Sequence, residues 1–145
     1  MINLAYPEFL DLIENKEKIC LVGGLGVVEL YVSILDTLEL KYGVLPKKYH
    51  LITSPEKHVK FRDLSLDQDK VNNVIHEFSY QEILRENYPE VYRNCREIIK
   101  SELDNYEIVC EITGGTKPVS IALTVLADEF DLLRIYFSGK KIISI

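Results

Sequence analysis

Residues 107–126 read EIVCEITGGTKPVSIALTVL, and the order of residue types in this stretch decides the fold. Ile108, Val109, Cys110 and Ile112 form a short apolar, largely β-branched run, the pattern of a buried strand. Gly114 and Gly115 break the run, and Pro118 sits where a first helical turn tolerates a missing N–H. Thr116 is the expected N-cap, its hydroxyl placed to accept a backbone N–H one turn on. The unpaired N–H groups of that turn are expected to face outward beside the Lys117 ammonium, which makes an anion site at a helix start. A cation in the first turn works against the helix dipole, so Lys117 points to a negative partner. The same strand, Gly-Gly, helix layout also serves as a plain corner in any α/β chain. GGTK lacks the preceding GxxxxG frame, so an ATP-hydrolysing P-loop is not expected.

The layout recurs near the start of the chain. Residues 18–22 give a short apolar strand that ends in Gly23-Gly24-Leu25-Gly26, and Val27, Leu30, Tyr31, Ile34, Leu35, Leu38 and Tyr42 then follow at helical spacing up to Gly43. Gly24 and Gly26 supply the first G-x-G of a dinucleotide fingerprint, but Glu29 stands at the third glycine position. Thr53 and Ser54 stand where an NAD site wants an acid, so neither NAD nor another cofactor is expected.

Between and beyond these units the pattern predicts an opening amphipathic helix over 6–17 and a second strand over 49–53. A poorly periodic crossover helix follows within 56–70, then a third strand over 74–78 and a turn of helix over 80–86. A helix capped by Asn87 carries Val91, Tyr92, Cys95, Ile98, Ile99 and Leu103 on one face, and a fifth strand over 131–137 leads to a final strand over 140–145, as a hairpin. Strand and helix alternate without linker or repeat. The expected architecture is a single domain over 1–145, α/β and Rossmann-like, with a doubly wound, mainly parallel sheet of five to six strands and helices on both faces.

A chain of 145 residues that is 47% hydrophobic and 28% charged is long enough for one proper core. Its net charge of −6 argues against a broad basic face for long nucleic acid, while leaving room for a local basic pocket. Cys20, Cys95 and Cys110 are odd in number and embedded in apolar runs, which reads as reduced core thiols. His50, His58 and His76 show no ligand spacing with one another or with cysteine, so no metal is assigned. There is no signal-peptide layout and no apolar run of membrane-spanning length, so a cytoplasmic location without a membrane partner is expected.

In the doubly wound order 3-2-1-4-5, strands one and four are neighbours, and the crevice where the winding reverses opens beyond their carboxyl ends. Both glycine loops end those strands. Gly23–Gly26 and Thr113–Lys117 are therefore expected at one crevice that takes an anionic, nucleotide-like ligand. On this reading Gly24→Val blocks the ligand without unfolding the domain.

The string EITGGTKPVSIAL, following an apolar strand and heading a helix, resembles the signature of CARF domains, the CRISPR-associated Rossmann fold. The resemblance covers the whole chain in layout. Its specific part is Thr113, Gly114, Gly115, Thr116 and Lys117, supported by the loop Gly23, Gly24, Leu25 and Gly26. It implies a homodimeric receptor for cyclic oligoadenylate, the ring-shaped RNA messenger of type III CRISPR systems, with the ring across the two-fold axis. Cyclic tetra-adenylate is the first size expected, because each protomer then binds half a ring, and cyclic hexa-adenylate satisfies the same symmetry. Many family members carry serine or threonine in the first loop, where this chain has Gly-Gly-Leu-Gly. The ligand-binding set so implied is Gly23, Gly24, Leu25, Gly26, Thr53, Ser54, Thr113, Gly114, Gly115, Thr116 and Lys117. Some relatives are ring nucleases, in which a ribose 2′-OH attacks the adjacent phosphate without metal, and Lys117 is the candidate catalytic cation here. Family effectors usually append a further domain after this unit, so a chain ending at Ile145 reads as a sensor acting alone or one excised from a larger protein. The alternatives are a sensing or dimerisation module for a separate effector, without catalysis, and a conventional mononucleotide-binding enzyme.

Overall fold

The computed structural model describes residues 9–65, 72–81, 87–138 and 141–144. Strand β1 (Ile19–Gly24) leads to helix α1 (Val28–Tyr42), β2 (Lys48–Thr53) to α2 (Pro55–Ser65), and β3 (Ile75–Tyr80) precedes α3 (Tyr88–Glu102). Strand β4 (Glu107–Glu111) leads to α4 (Lys117–Glu129), and β5 (Leu133–Ser138) pairs with β6 (Lys141–Ser144). The sheet runs β3-β2-β1-β4-β5-β6, parallel throughout except for the antiparallel β5–β6 pair. The doubly wound order and the C-terminal hairpin are those the sequence pattern predicts.

Period-two alternation explains why both faces of the sheet are covered. Leu21, Tyr49, Leu51 and Val109 point to one face and pack with Ile34, Leu35 and Leu38 of α1 and Phe61 of α2. Their neighbours Cys20, Val22, Ile108 and Cys110 point to the other and pack with Val91, Cys95 and Ile99 of α3 and Leu123 and Leu126 of α4. All three cysteines are buried and free, and desolvation pushes the Cys95 and Cys110 thiols up to about 12, so they behave as core groups. Helix α1 stops at Gly43, whose φ of 67° closes a turn with Gly43 N–H on Glu39 O and Val44 N–H on Leu38 O.

Three expectations about local structure are corrected. Instead of one amphipathic helix over 6–17 there are two 3₁₀ turns, Phe9–Leu12 and Lys16–Lys18, because Asn15 accepts from the Glu17 N–H and starts a new turn. Residues before 9 lie outside the described residues. The third strand extends to Tyr80 because its pairing with β2 continues up to Thr53. The helical turn expected over 80–86 therefore does not include Tyr80, and residues 82–86 lie outside the described residues. The crossover helix within 56–70 exists as α2, despite its weak periodicity, because Ser54 caps it: the Lys57 N–H donates to Ser54 Oγ (3.3 Å) and the His58 N–H to Ser54 O (2.9 Å).

Candidate functional site

The carboxyl ends of β1, β2, β3 and β4 meet on one side of the sheet, and the two glycine loops emerge there side by side. They do not face each other across open space. A Cβ built on Gly24 would lie 2.6 Å from the Cα of Gly115 and 2.9 Å from the carbonyl oxygen of Gly114, so the loops touch backbone to backbone. Gly115 has a φ of 79°, which favours glycine a second time. Gly26 packs more loosely on the same turn, with a Cβ position 3.2 Å from Gly115 N. Gly23 lies over Glu111, where a Cβ would sit 2.9 Å from the Glu111 carbonyl oxygen.

Glu111 organises this junction and was missed from sequence. It ends β4 only 1% exposed, and its carboxylate accepts from Thr113 N–H (2.7 Å) and Gly114 N–H (3.3 Å). The buried Tyr49 phenol bonds to it from below, and desolvation, strengthened by Glu111, pushes that phenol well above its usual range. Desolvation likewise raises the Glu111 carboxyl above its ordinary value, against the hydrogen bonds from Thr113, Gly114 and Tyr49, which favour the anion. Two donors of the glycine loop are thus turned inward to a carboxylate. The signal was present in the string VCEITGG, where an acid interrupts an apolar strand immediately before its turn.

The other predicted residues divide between the junction's scaffold and its open side. Thr113 Oγ1 accepts from the Phe137 N–H (2.7 Å), tying the loop to β5, and Ser120 Oγ donates to Gly114 O (3.3 Å). Leu25 is buried, and its N–H donates to Ile52 O (2.9 Å), tying the first loop to β2. Thr116 is the N-cap of α4 by backbone position, with φ −82° and ψ 159°, but its side chain makes no capping hydrogen bond. Lys117 opens α4 with an exposed side chain and forms no ion pair with a described residue.

Between α2 and α4 lies a narrow cleft. Leu25, Ile52 and Val119 give it apolar walls, Gly115 and Thr116 form one rim, and Thr53, Ser54, Lys57 and Gln81 complete it. Of the predicted set, Leu25, Thr53, Ser54, Gly115 and Thr116 line this cleft, whereas Gly23, Gly24, Gly26, Thr113, Gly114 and Lys117 do not. Lys57 and Gln81 were not predicted. Lys57 lay in a polar stretch without clear periodicity, and Gln81 is placed by the strand extension at Tyr80. Two lysines, Lys57 in the cleft and Lys117 outside it, thus stand at the first turns of two helices, where an anion gains from both dipoles.

A second polar cluster lies lower on the sheet, under α3. His50 Nδ1, Glu77 and Glu102 bring ligand atoms within 4.8 Å of one another. The Lys48 ammonium bridges the carboxylates, 2.9 Å from Glu102 and 3.2 Å from Glu77, and supplies the positive charge that the pair requires. His50 Nε2 lies 2.7 Å from Ser79 Oγ, and burial holds the imidazole below its usual value. These residues are far apart in sequence: the β2–β3 register pairs His50 with Glu77, and the C-terminal end of α3 brings Glu102 to them.

No helix among the described residues is long and apolar enough to cross a membrane. No protein-family model matches the chain, and no curated protein matches it in sequence. Solved structures share its fold. One is Csm6 of Enterococcus italicus bound to cyclic hexa-2′-fluoro-hexa-dAMP, at 15% identity and a TM-score of 0.67 over 85% of this chain and 34% of that one. Another is Can2 of Sulfobacillus thermosulfidooxidans in complex with cyclic tetra-adenylate, at 18% identity and a TM-score of 0.64 over 87% of this chain and 33% of that one. A third is protein VC1899 of Vibrio cholerae, at 14% identity and a TM-score of 0.70 over 88% and 33%. The chain spans about a third of the length of these three proteins, and the likeness is one of fold. That fold is the Rossmann-like one implied by the resemblance to CARF domains.

Proposed function

We propose that the chain is a CARF domain that binds a cyclic oligoadenylate, cyclic tetra-adenylate in the first instance, at the two-fold axis of a homodimer in type III CRISPR signalling. The observation that carries this reading is the junction of the β1 and β4 glycine loops beside a cleft flanked by Lys57 and Lys117. Folds shared with Csm6 and Can2, both solved with cyclic nucleotide rings, support it. One cleft per chain is narrow, so a ring of several nucleotides needs two half-sites, and two-fold symmetry supplies them. The axis on this reading passes close to Gly24 and Lys117.

The described lining of the cleft holds no histidine or carboxylate. Ring cleavage would therefore rest on in-line positioning of a ribose 2′-OH and on charge stabilisation by lysine, without general acid or base help from that lining. This favours binding as the primary activity, with a ring nuclease as the second reading.

Incubation with cyclic tri-, tetra- and hexa-adenylate, following binding by calorimetry and linear products by chromatography, tests the reading. Saturable binding of one ring at one ring per two chains is expected. Absence of binding to all three, or a protein that stays monomeric by light scattering with ligand present, would overturn it.

A further inference from the structure

The cluster of His50, Glu77 and Glu102 contains a buried nitrogen that the fold leaves unused. His50 is only 2% exposed, and its Nδ1 makes no hydrogen bond among the described residues. That nitrogen lies 3.2 Å from Glu77 Oε2, so a ring nitrogen and a carboxylate oxygen face each other without bonding. A buried polar atom in this position costs stability unless a further group engages it.

Charge and spacing both point to a cation as that group. Lys48 brings one positive charge to two carboxylates, whereas a divalent ion would neutralise the pair in full. In a tetrahedral zinc site with bonds of about 2.0–2.1 Å, neighbouring ligand atoms stand about 3.3 Å apart. The separation of His50 Nδ1 from Glu77 Oε2 matches that edge, and all three ligand atoms lie within 4.8 Å of one another. The Glu77 side chain is half exposed, which gives an ion its entrance and leaves this carboxylate free to close the longer spacing. Outer partners already hold the ligands, as they do around bound metals. His50 Nε2 is 2.7 Å from Ser79 Oγ, and the Cys20 thiol donates to Glu102 Oε2 (3.3 Å).

Independently of the receptor reading, we propose that His50 Nδ1, Glu77 and Glu102 bind one divalent transition-metal ion of the zinc class, with the Lys48 ammonium as its competitor. An imidazole among the ligands selects such an ion over magnesium, which takes oxygen ligands. Spacing along the chain assigns no metal because the three ligands converge only in the fold, from β2, β3 and the last residue of α3. The ion would join those three elements and so stabilise the folded chain. The ammonium it displaces also lies 5.7 Å from the centre of the Tyr106 ring and keeps that partner.

The test strips the tag-free chain with a chelator and titrates it with zinc chloride and, separately, magnesium chloride, following calorimetry and thermal melting. One zinc ion per chain and a raised melting temperature are expected, with no binding of magnesium at the same concentration. Nitrogen-15 spectra of the three histidine rings identify the ligand without any variant: zinc should shift His50 Nδ1 and leave His58 and His76 unmoved. His50→Gln should weaken zinc binding about tenfold or more. Lys48→Met leaves two carboxylates without their ammonium, so its melting temperature should fall without zinc and rise further on zinc addition than the wild type's does. No zinc binding by the wild-type chain, shifts confined to His58 or His76, or magnesium binding as tight as zinc overturns the site. A Lys48→Met protein that zinc does not rescue overturns the competition and makes the cluster an ion pair only.

Discussion

Gly24 and Gly115 pack against each other so closely that a Cβ on either would come 2.6 Å from the other's Cα. The obstacle is backbone on both sides, so it cannot rotate away. Gly24→Val should therefore lower the melting temperature, by the equivalent of about 1–3 kcal/mol or more, and weaken ligand binding together with it. This differs from the sequence expectation of blocked binding in an intact fold, because the space beside Gly24 is filled by the other loop. A valine variant that melts like the wild type would show that the loops part without cost.

Lys117 has an exposed side chain at the start of α4 and makes no ion pair with a described residue, so Lys117→Ala should shift stability by less than about 0.5 kcal/mol. On the proposed function its ammonium meets phosphate, and its loss should weaken binding of cyclic tetra-adenylate by about 1.5–3 kcal/mol. Salt dependence should flatten with it. Calorimetric titration at two salt concentrations, run beside Lys57→Ala, measures which helix start carries the charge. Unchanged affinity in both variants would place the anion site elsewhere.

Glu111 is held above its ordinary value mainly by desolvation, so the folded state prefers its protonated form more than the unfolded chain does. Its contribution to stability is therefore greatest below the unfolded value near 4.5 and declines as pH rises through the raised folded value. Glu111→Gln should flatten that part of the stability curve. It should also cost about 1–3 kcal/mol at low pH, since an amide accepts from only one of the two loop N–H groups. Denaturant midpoints measured from pH 4 upward in both proteins check this, and parallel curves would refute it.

His76 behaves with the opposite sign. Its ring lies among Tyr31, Phe61 and Phe78, its Nε2 hydrogen-bonds the Tyr31 phenol, and burial lowers its pKa from 6.5 to about 4. The stability that comes from keeping it neutral is complete above pH 6.5 and is lost as pH falls toward about 4. His76→Phe should remove that acid limb, and NMR titration of the wild-type imidazole should find it neutral at pH 6. A charged ring at pH 6 would contradict the prediction.

What sequence made legible was what local pattern carries. The alternation of Cys20, Leu21 and Val22 and of Ile108, Val109 and Cys110, each run ending in glycines before a helical repeat, fixed the parallel core and the neighbouring ends of β1 and β4. What stayed hidden depends on register and depth. Gln81 reaches the cleft because β3 keeps pairing with β2 for two residues past Phe78, and no local signal tells a sixth strand residue from the start of a turn. Glu111 reads as a charge at a strand end, and only packing against Gly23, Thr113 and Gly114 turns it into the pin of the loop. Lys117 was conspicuous because it follows two glycines, whereas Lys57 sits in a helix whose polar surface conceals its one buried aromatic, Phe61.

The backbone contact between the two loops also sets a rule for how such chains can vary or be re-engineered. Gly24 belongs to the first turn of the fold and Gly114 and Gly115 to the fourth strand's turn, yet none of the three has room for a side chain while the others hold their places. A side chain gained in one loop demands a retreat in the other, so the two segments are sterically coupled. Grafting the 113–117 turn alone into another doubly wound scaffold would carry half of a joint, and a working transplant has to bring residues 23–26 with it.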